Sequence, residues 1–133
     1  MIKYRETNVN PKKRKTGDCS TRAIVGTLGI EYDEALRLQY EAAVKTKYGI
    51  TDKQIVEAVL KKFGYIKQAQ PRKYDGTKYR VSEMDELLTS KQMKEGVLIT
   101  VANHHTCIVN GFIQDIWDCG SMCVGNYYIK AGR

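Results

Sequence analysis

The chain has no run of about 18 apolar residues, which excludes a membrane-spanning helix of ordinary length. Its opening stretch, MIKYRETNVN, lacks the apolar segment that an export signal needs, so a cytoplasmic location is expected. No Cys-x-x-Cys pair is present, which removes the usual knuckle spacing of a structural zinc site. No glycine loop of the phosphate-cradling or dinucleotide type occurs, which speaks against nucleotide chemistry. Internal repeats and low-complexity segments are absent too, and with them solenoids and disordered tails. Histidine occurs only twice, at His104 and His105, so any imidazole chemistry must use one of these neighbours.

The 133 residues suit one domain with one core, and 42% apolar with 28% charged residues is an ordinary globular balance. With 22 basic and 15 acidic residues the net charge is +7, a field that favours acidic partners. The charge is scattered except at Lys12-Lys13-Arg14-Lys15. No aromatic residues interleave that run, so a base-stacking platform is absent and nucleic acid is not the expected ligand. An acidic partner at loop 12–15 is the contact this run suggests. Of the four cysteines, three crowd into the last 27 residues, a distribution unlike a secreted disulfide framework.

Residues 1–17 carry turn formers and charge, and read as an extended basic arm and loop. A helix is predicted from Asp18 to Leu28, capped by Asp18 and stopped by Gly29, which puts Cys19 in its first turn. A second helix is predicted from Tyr32 to Lys47, with Ala35, Leu38, Ala42 and Val44 along one stripe and Gly49 ending it. Thr51 and Gln54 form a capping box for a third, whose Ile55, Val59 and Phe63 face the core before Gly64 stops it. A short strand and loop follow over 65–81, then a short helix from Ser82 to Thr89. Val97 to Ala102 reads as a buried strand, 104–109 and 112–117 as a hairpin about Asn110-Gly111, and Asn126 to Lys130 as a last strand. Helices first and an antiparallel sheet after them make an α+β plan.

Three groups could build a nucleophilic site. A thiol attacks only as thiolate, and a helix N-terminus and a nearby imidazolium both favour that form. Cys19 has the first by position, and His104 or His105 could supply the second. A third group must hold the imidazole, and Asp115 and Asp118 lie on the returning strand. With a two-residue turn at Asn110-Gly111, side chains share a face only when their residue numbers add to an odd total. His104 with Asp115 passes this test, and so does His105 with Asp118; the crossed pairs fail. Two pairings remain open on parity. Arg22, three residues beyond Cys19, is expected to make a structural ion pair away from the active face, and Trp117 to pack in the core or wall a pocket.

The stretch NPKKRKTGDCSTRAIVGTLGIEYDEAL together with HHTCIVNGFIQDIWD resembles a family of small, mostly phage-encoded or bacterial proteins of the papain-like cysteine peptidase superfamily. Their pattern is Asn-Pro, then Gly-Asp-Cys-x-x-Arg-Ala, then a His-apolar-Gly-x-x-x-Asp hairpin, and it covers the first and last thirds of this chain. The resemblance implies a papain-like fold over residues 1–133 and places the nucleophile on Cys19. It puts the base on His104, seven residues before Gly111, and the orienting acid on Asp115. The backbone N–H of Cys19 is then the first oxyanion donor. Papain-like enzymes add an upstream side-chain amide, usually Gln; only Asn8 and Asn10 stand upstream here, and Asn10 is the candidate. The implied activity is hydrolysis of a peptide or isopeptide bond in a protein or peptide substrate, with no cofactor and no metal, in the bacterial host cytoplasm. A deamidase, an acyltransferase or a non-catalytic module that binds a host factor could use the same fold. A small zinc protein binding nucleic acid through His104 or His105, Cys107, Cys119 and Cys123 is the rival chemistry.

Overall fold

Asn110 and Gly111 both take positive φ, 54° and 79°, the conformation a type I′ turn demands and one that asparagine and glycine tolerate. The computed structural model describes residues 1–131, and this turn sets its central hairpin. Val109 faces Phe112 and Ile108 faces Ile113, joining β4 (His104–Val109) to β5 (Phe112–Asp115). β3 (Val97–Val101) pairs antiparallel with β4, and β6 (Tyr127–Lys130) lies on its other side. β2 (Tyr65–Gln68) completes that end beside β6. At the opposite end β1 (Lys3–Glu6) runs parallel to β5, giving six strands in the order β1-β5-β4-β3-β6-β2. The sheet is therefore mixed rather than antiparallel, because part of the N-terminal arm is a strand. That strand carries charge at three of its four positions, Lys3, Arg5 and Glu6, which hid it from a reading based on apolar pattern.

The sheet has a core on each face, as the two-residue period of its strands requires. Leu98 and Tyr128 pack with Ile24, Ile55, Val59 and Leu60 of the helical layer. Val97 and Ile99, one step either side of Leu98, pack on the other face with Val81, Met84, Ile108 and Ile113. The helical layer is α1 (Cys19–Leu28), α2 (Tyr32–Thr46) and α3 (Lys53–Lys62). The second core is covered by a 3₁₀ helix over Val81–Glu86, with α4 (Ser90–Glu95) nearby on the chain. The architecture is α+β.

Several element ends differ from the sequence reading. Gly29 closes α1 in the left-handed region as anticipated, but α2 is closed by Lys47 at φ 69°, not by Gly49. Ala35, Leu38 and Ala42 are buried on α2, whereas Val44 is 69% exposed. α3 is capped by Asp52, whose carboxylate accepts the Gln54 N–H at 2.8 Å, so its start is one residue later than a Thr51 cap. Its buried face is Ile55, Val56, Val59 and Leu60; Phe63 lies past the last turn and is 38% exposed. No helix among the described residues is long and apolar enough to cross a membrane.

Candidate active site

α1 begins on Cys19, and helix geometry leaves the N–H groups of its first turn without intrahelical partners. Asp18 occupies the N-cap position, but its side chain does not cap. Three stronger claims compete for the carboxylate. Oδ1 binds Arg22 Nη1 at 2.5 Å one turn along, and Oδ2 accepts from Tyr32 Oη at 2.7 Å and from Asn10 Nδ2 at 3.0 Å. The other end of Arg22 reaches the hairpin: its Nη2 lies 3.6 Å from Asp115 Oδ1. Arg22 therefore joins the loop before the helix to the hairpin. This corrects the expectation that it sits apart from the site. The first turn is further braced by Gln39 of α2, fully buried, which accepts from Thr21 Oγ1 at 2.7 Å and donates to Ser20 Oγ at 3.2 Å.

On the hairpin, His104 Nε2 lies 2.7 Å from Asp115 Oδ2. The alternative pair does not form. His105 turns to the other side and meets Thr100 Oγ1 through Nδ1 at 3.2 Å, while Asp118 Oδ1 accepts the Gly120 N–H at 2.9 Å. Asp115 is buried and also accepts the Ile116 N–H at 2.7 Å. Trp117, 41% exposed, tilts over the His104 ring with centroids 4.9 Å apart, forming a wall of the site. The Asn10 amide is spent elsewhere: both N–H directions go to Asp18 and, at 3.4 Å, to Tyr32 Oη. Asn10 holds the loop that holds Arg22, and its donor is not turned to a reacting carbonyl.

The electrostatics follow from these contacts. Burial alone raises the Cys19 thiol, but the His104 side chain, the His105 backbone N–H and the charges of His104 and Arg22 outweigh it and bring the thiol below its ordinary value. Burial alone lowers His104, yet Asp115, Cys119 and Cys19 around the ring raise it to about 11. Asp115 is pushed up by burial and pulled further down by the His104 ring, so it stays a carboxylate. The neighbouring residues of the same types behave oppositely. Burial and the His104 charge drive His105 down to about 4, and burial drives Cys107 up to about 12. Of the two imidazoles only His104 is raised, and the Cys19 thiol is lowered where the Cys107 thiol is raised.

Cys119, fully buried, places Sγ 3.7 Å from Asp115 Oδ2, and the ligand atoms of His104, Asp115 and Cys119 all lie within 4.8 Å of one another. The 2.7 Å His104–Asp115 contact is the span of a hydrogen bond; two ligands on one zinc ion stand roughly 3.3 Å apart given bonds of about 2.0 Å. An ion at this place would have to displace that proton. The zinc set of His104 or His105 with Cys107, Cys119 and Cys123 is not assembled, because Cys107 packs beside α1 at Gly26, and Cys123 is exposed. In loop 12–15, Lys13 donates from Nζ to the Asn8 carbonyl at 2.8 Å, and Asn8 Nδ2 binds the Arg14 carbonyl at 3.0 Å, closing the turn on itself. The ion pair of Arg22 with Asp115 and the place of Cys119 escaped the sequence reading. The i,i+4 spacing of Asp18 and Arg22 was a visible sign of the first half of that chain. Comparison of the chain with protein-family models, with curated proteins and with solved structures finds no match.

Proposed function

We propose that this protein is a cysteine-dependent hydrolase of a peptide or isopeptide bond, built on a papain-like plan, with Cys19 as nucleophile, His104 as acid and base, and Asp115 as orienter. One observation carries the reading: a single imidazole is gripped by a buried carboxylate at 2.7 Å and lowers the thiol that opens α1. Nε2 is engaged by Asp115, which leaves Nδ1 for the sulfur and fixes the ring's tautomer.

In this reading the Cys19 thiolate attacks the amide carbon and a C–S bond forms. The carbonyl oxygen becomes an oxyanion beside the free N–H of Cys19 at the helix start. The His104 imidazolium passes its proton to the amide nitrogen, the C–N bond breaks and the amine leaves. Water then attacks the thioester while neutral His104 takes its proton. The C–S bond breaks, the acid product departs, and the imidazolium–thiolate pair is restored. Deamidation and transfer to an amine need the same atoms and differ only in leaving group or acceptor. Asn10 has no part in these steps.

The test is alkylation. Brief treatment with iodoacetamide at pH 6 followed by peptide mass spectrometry is expected to modify Cys19 ahead of Cys123, although Cys123 is the more exposed. A peptide aldehyde is expected to leave its adduct on Cys19 alone. Labelling of Cys123 as fast as Cys19, with no aldehyde adduct, would overturn the proposal.

A further inference from the structure

A large concavity lies beside β1, away from the basic run. It is a cleft of about 850 Å³ whose walls include Lys3, Lys78, Arg80, Ser82 and Ser121. Lys73 and Glu83 also line it, but they neutralise each other at 2.7 Å. Among the described residues Lys3, Lys78 and Arg80 form no ion pair, so three cations face one remaining wall carboxylate, Asp118. We propose that this cleft seats an extended, acidic segment of a polypeptide and presents it to the Cys19 site.

Position connects the two. Tyr4 lines the cleft, and its hydroxyl donates to the Asp115 carbonyl at 3.0 Å, so one residue separates the cleft wall from the carboxylate that holds His104. β1 is an edge strand paired only with β5, and its outer edge can receive an extended backbone beside Lys3 and Tyr4. The chemistry favours a peptide over nucleic acid. Tyr4 is the one aromatic ring in the lining, too few for a row of stacked bases. Asp118 would repel a continuous row of phosphates, whereas spaced carboxylates can avoid it. Loop 12–15 is the weaker seat, since the Lys13 ammonium already serves the Asn8 carbonyl. The inference draws on the hydrolase reading for what the segment is there to do; the binding itself needs no reactive thiol.

The test is fluorescence anisotropy with fluorescein-labelled hexaglutamate at low salt. The pair Lys78→Glu with Arg80→Glu is expected to weaken binding about tenfold or more, since each reversal replaces an attraction by a repulsion. The pair Lys12→Glu with Lys15→Glu makes the same change in net charge and is expected to leave affinity nearly unchanged. Lys3→Glu with Lys78→Glu serves as a second cleft pair that leaves the Arg80 turn untouched, and is expected to match the first. Equal losses from cleft and loop pairs would show a net-charge effect and overturn the proposal. So would an oligonucleotide of matched charge that outbinds the peptide and is weakened by the same cleft variants. Cys19→Ala protein is expected to bind hexaglutamate as the wild type does. Cleft binding with an unreactive Cys19 would therefore sink only the hydrolase, and a reactive Cys19 with indifferent cleft variants only the cleft.

Discussion

Replacing Gly26 by alanine tests how tightly α1 is seated, and hence how Cys19 reaches His104. Glycine inside a helix is unfavourable relative to alanine by about 1 kcal/mol, so an isolated helix would gain from the change. Here the added methyl would lie 2.5 Å from Cys107 Sγ, about 1 Å inside ordinary van der Waals contact. The sulfur cannot step aside freely, because Cys107 is 2% exposed and its thiol donates to the Gln114 carbonyl at 3.5 Å. Overpacking of this kind costs about 1–3 kcal/mol, so the net effect expected is a loss of up to about 2 kcal/mol. With Cys107→Ala the sulfur is gone and the nearest atom is the residue-107 Cβ at 3.8 Å, an ordinary contact. On that background Gly26→Ala should be neutral or stabilise by up to about 1 kcal/mol. Urea unfolding of the four proteins gives the cycle, with an expected coupling of about 1–3 kcal/mol. Iodoacetamide labelling of Cys19 should fall in Gly26→Ala and return in the double variant, as the helix reseats. If Gly26→Ala stabilises the protein equally with and without Cys107, the close approach of α1 to β4 is refuted.

Arg22→Met takes the shared cation from the nearly buried Asp18 and the buried Asp115, and urea unfolding should show a loss of about 3–5 kcal/mol, with Arg22→Lys intermediate because an ammonium cannot fork to both. His104→Gln should slow Cys19 alkylation at pH 6 by about tenfold or more, since the thiolate loses its partner, whereas His105→Gln, whose ring is neutral at that pH and keeps its backbone N–H, should leave the rate unchanged. The pH dependence of stability has a definite sign. His104 is raised in the folded state, so its contribution is complete below 6.5 and is lost as pH climbs from there toward about 11. Asp115 is lowered, so its contribution is present above 3.8 and is lost as pH falls through its folded value. The lowered Cys19 thiol offsets the His104 loss up to 9.0, so thermal unfolding midpoints of the wild type should fall on the acid side and, on the alkaline side, chiefly above 9.0; His104→Ala should remove that alkaline fall, and an unchanged alkaline limb would contradict the raised imidazole.

What the amino-acid order determined by itself is what depends on neighbours along the chain. Gly29 stops α1, Asn110-Gly111 turns the hairpin, and a turn of two residues sets which side chains can meet across it. Parity alone narrowed four His–Asp combinations to two, because a strand's faces alternate without regard to the rest of the fold. Ends of elements were less legible, as with Lys47 in place of Gly49 and Asp52 in place of Thr51, because neighbouring residues can each cap and packing chooses between them. Only the tertiary structure decided the rest. His104 rather than His105 meets an acid because β5 brings Asp115, and not Asp118, to that edge. Asn10 and Arg22 acquire their work from partners 8 and 93 positions away along the chain, Asp18 and Asp115. β1 is a strand only because β5 is there to pair with, and the cleft it walls exists only once residues 1–4, 73–83 and 118–121 converge. Such contacts are set by burial and by the satisfaction of charge in three dimensions, and no local pattern encodes them.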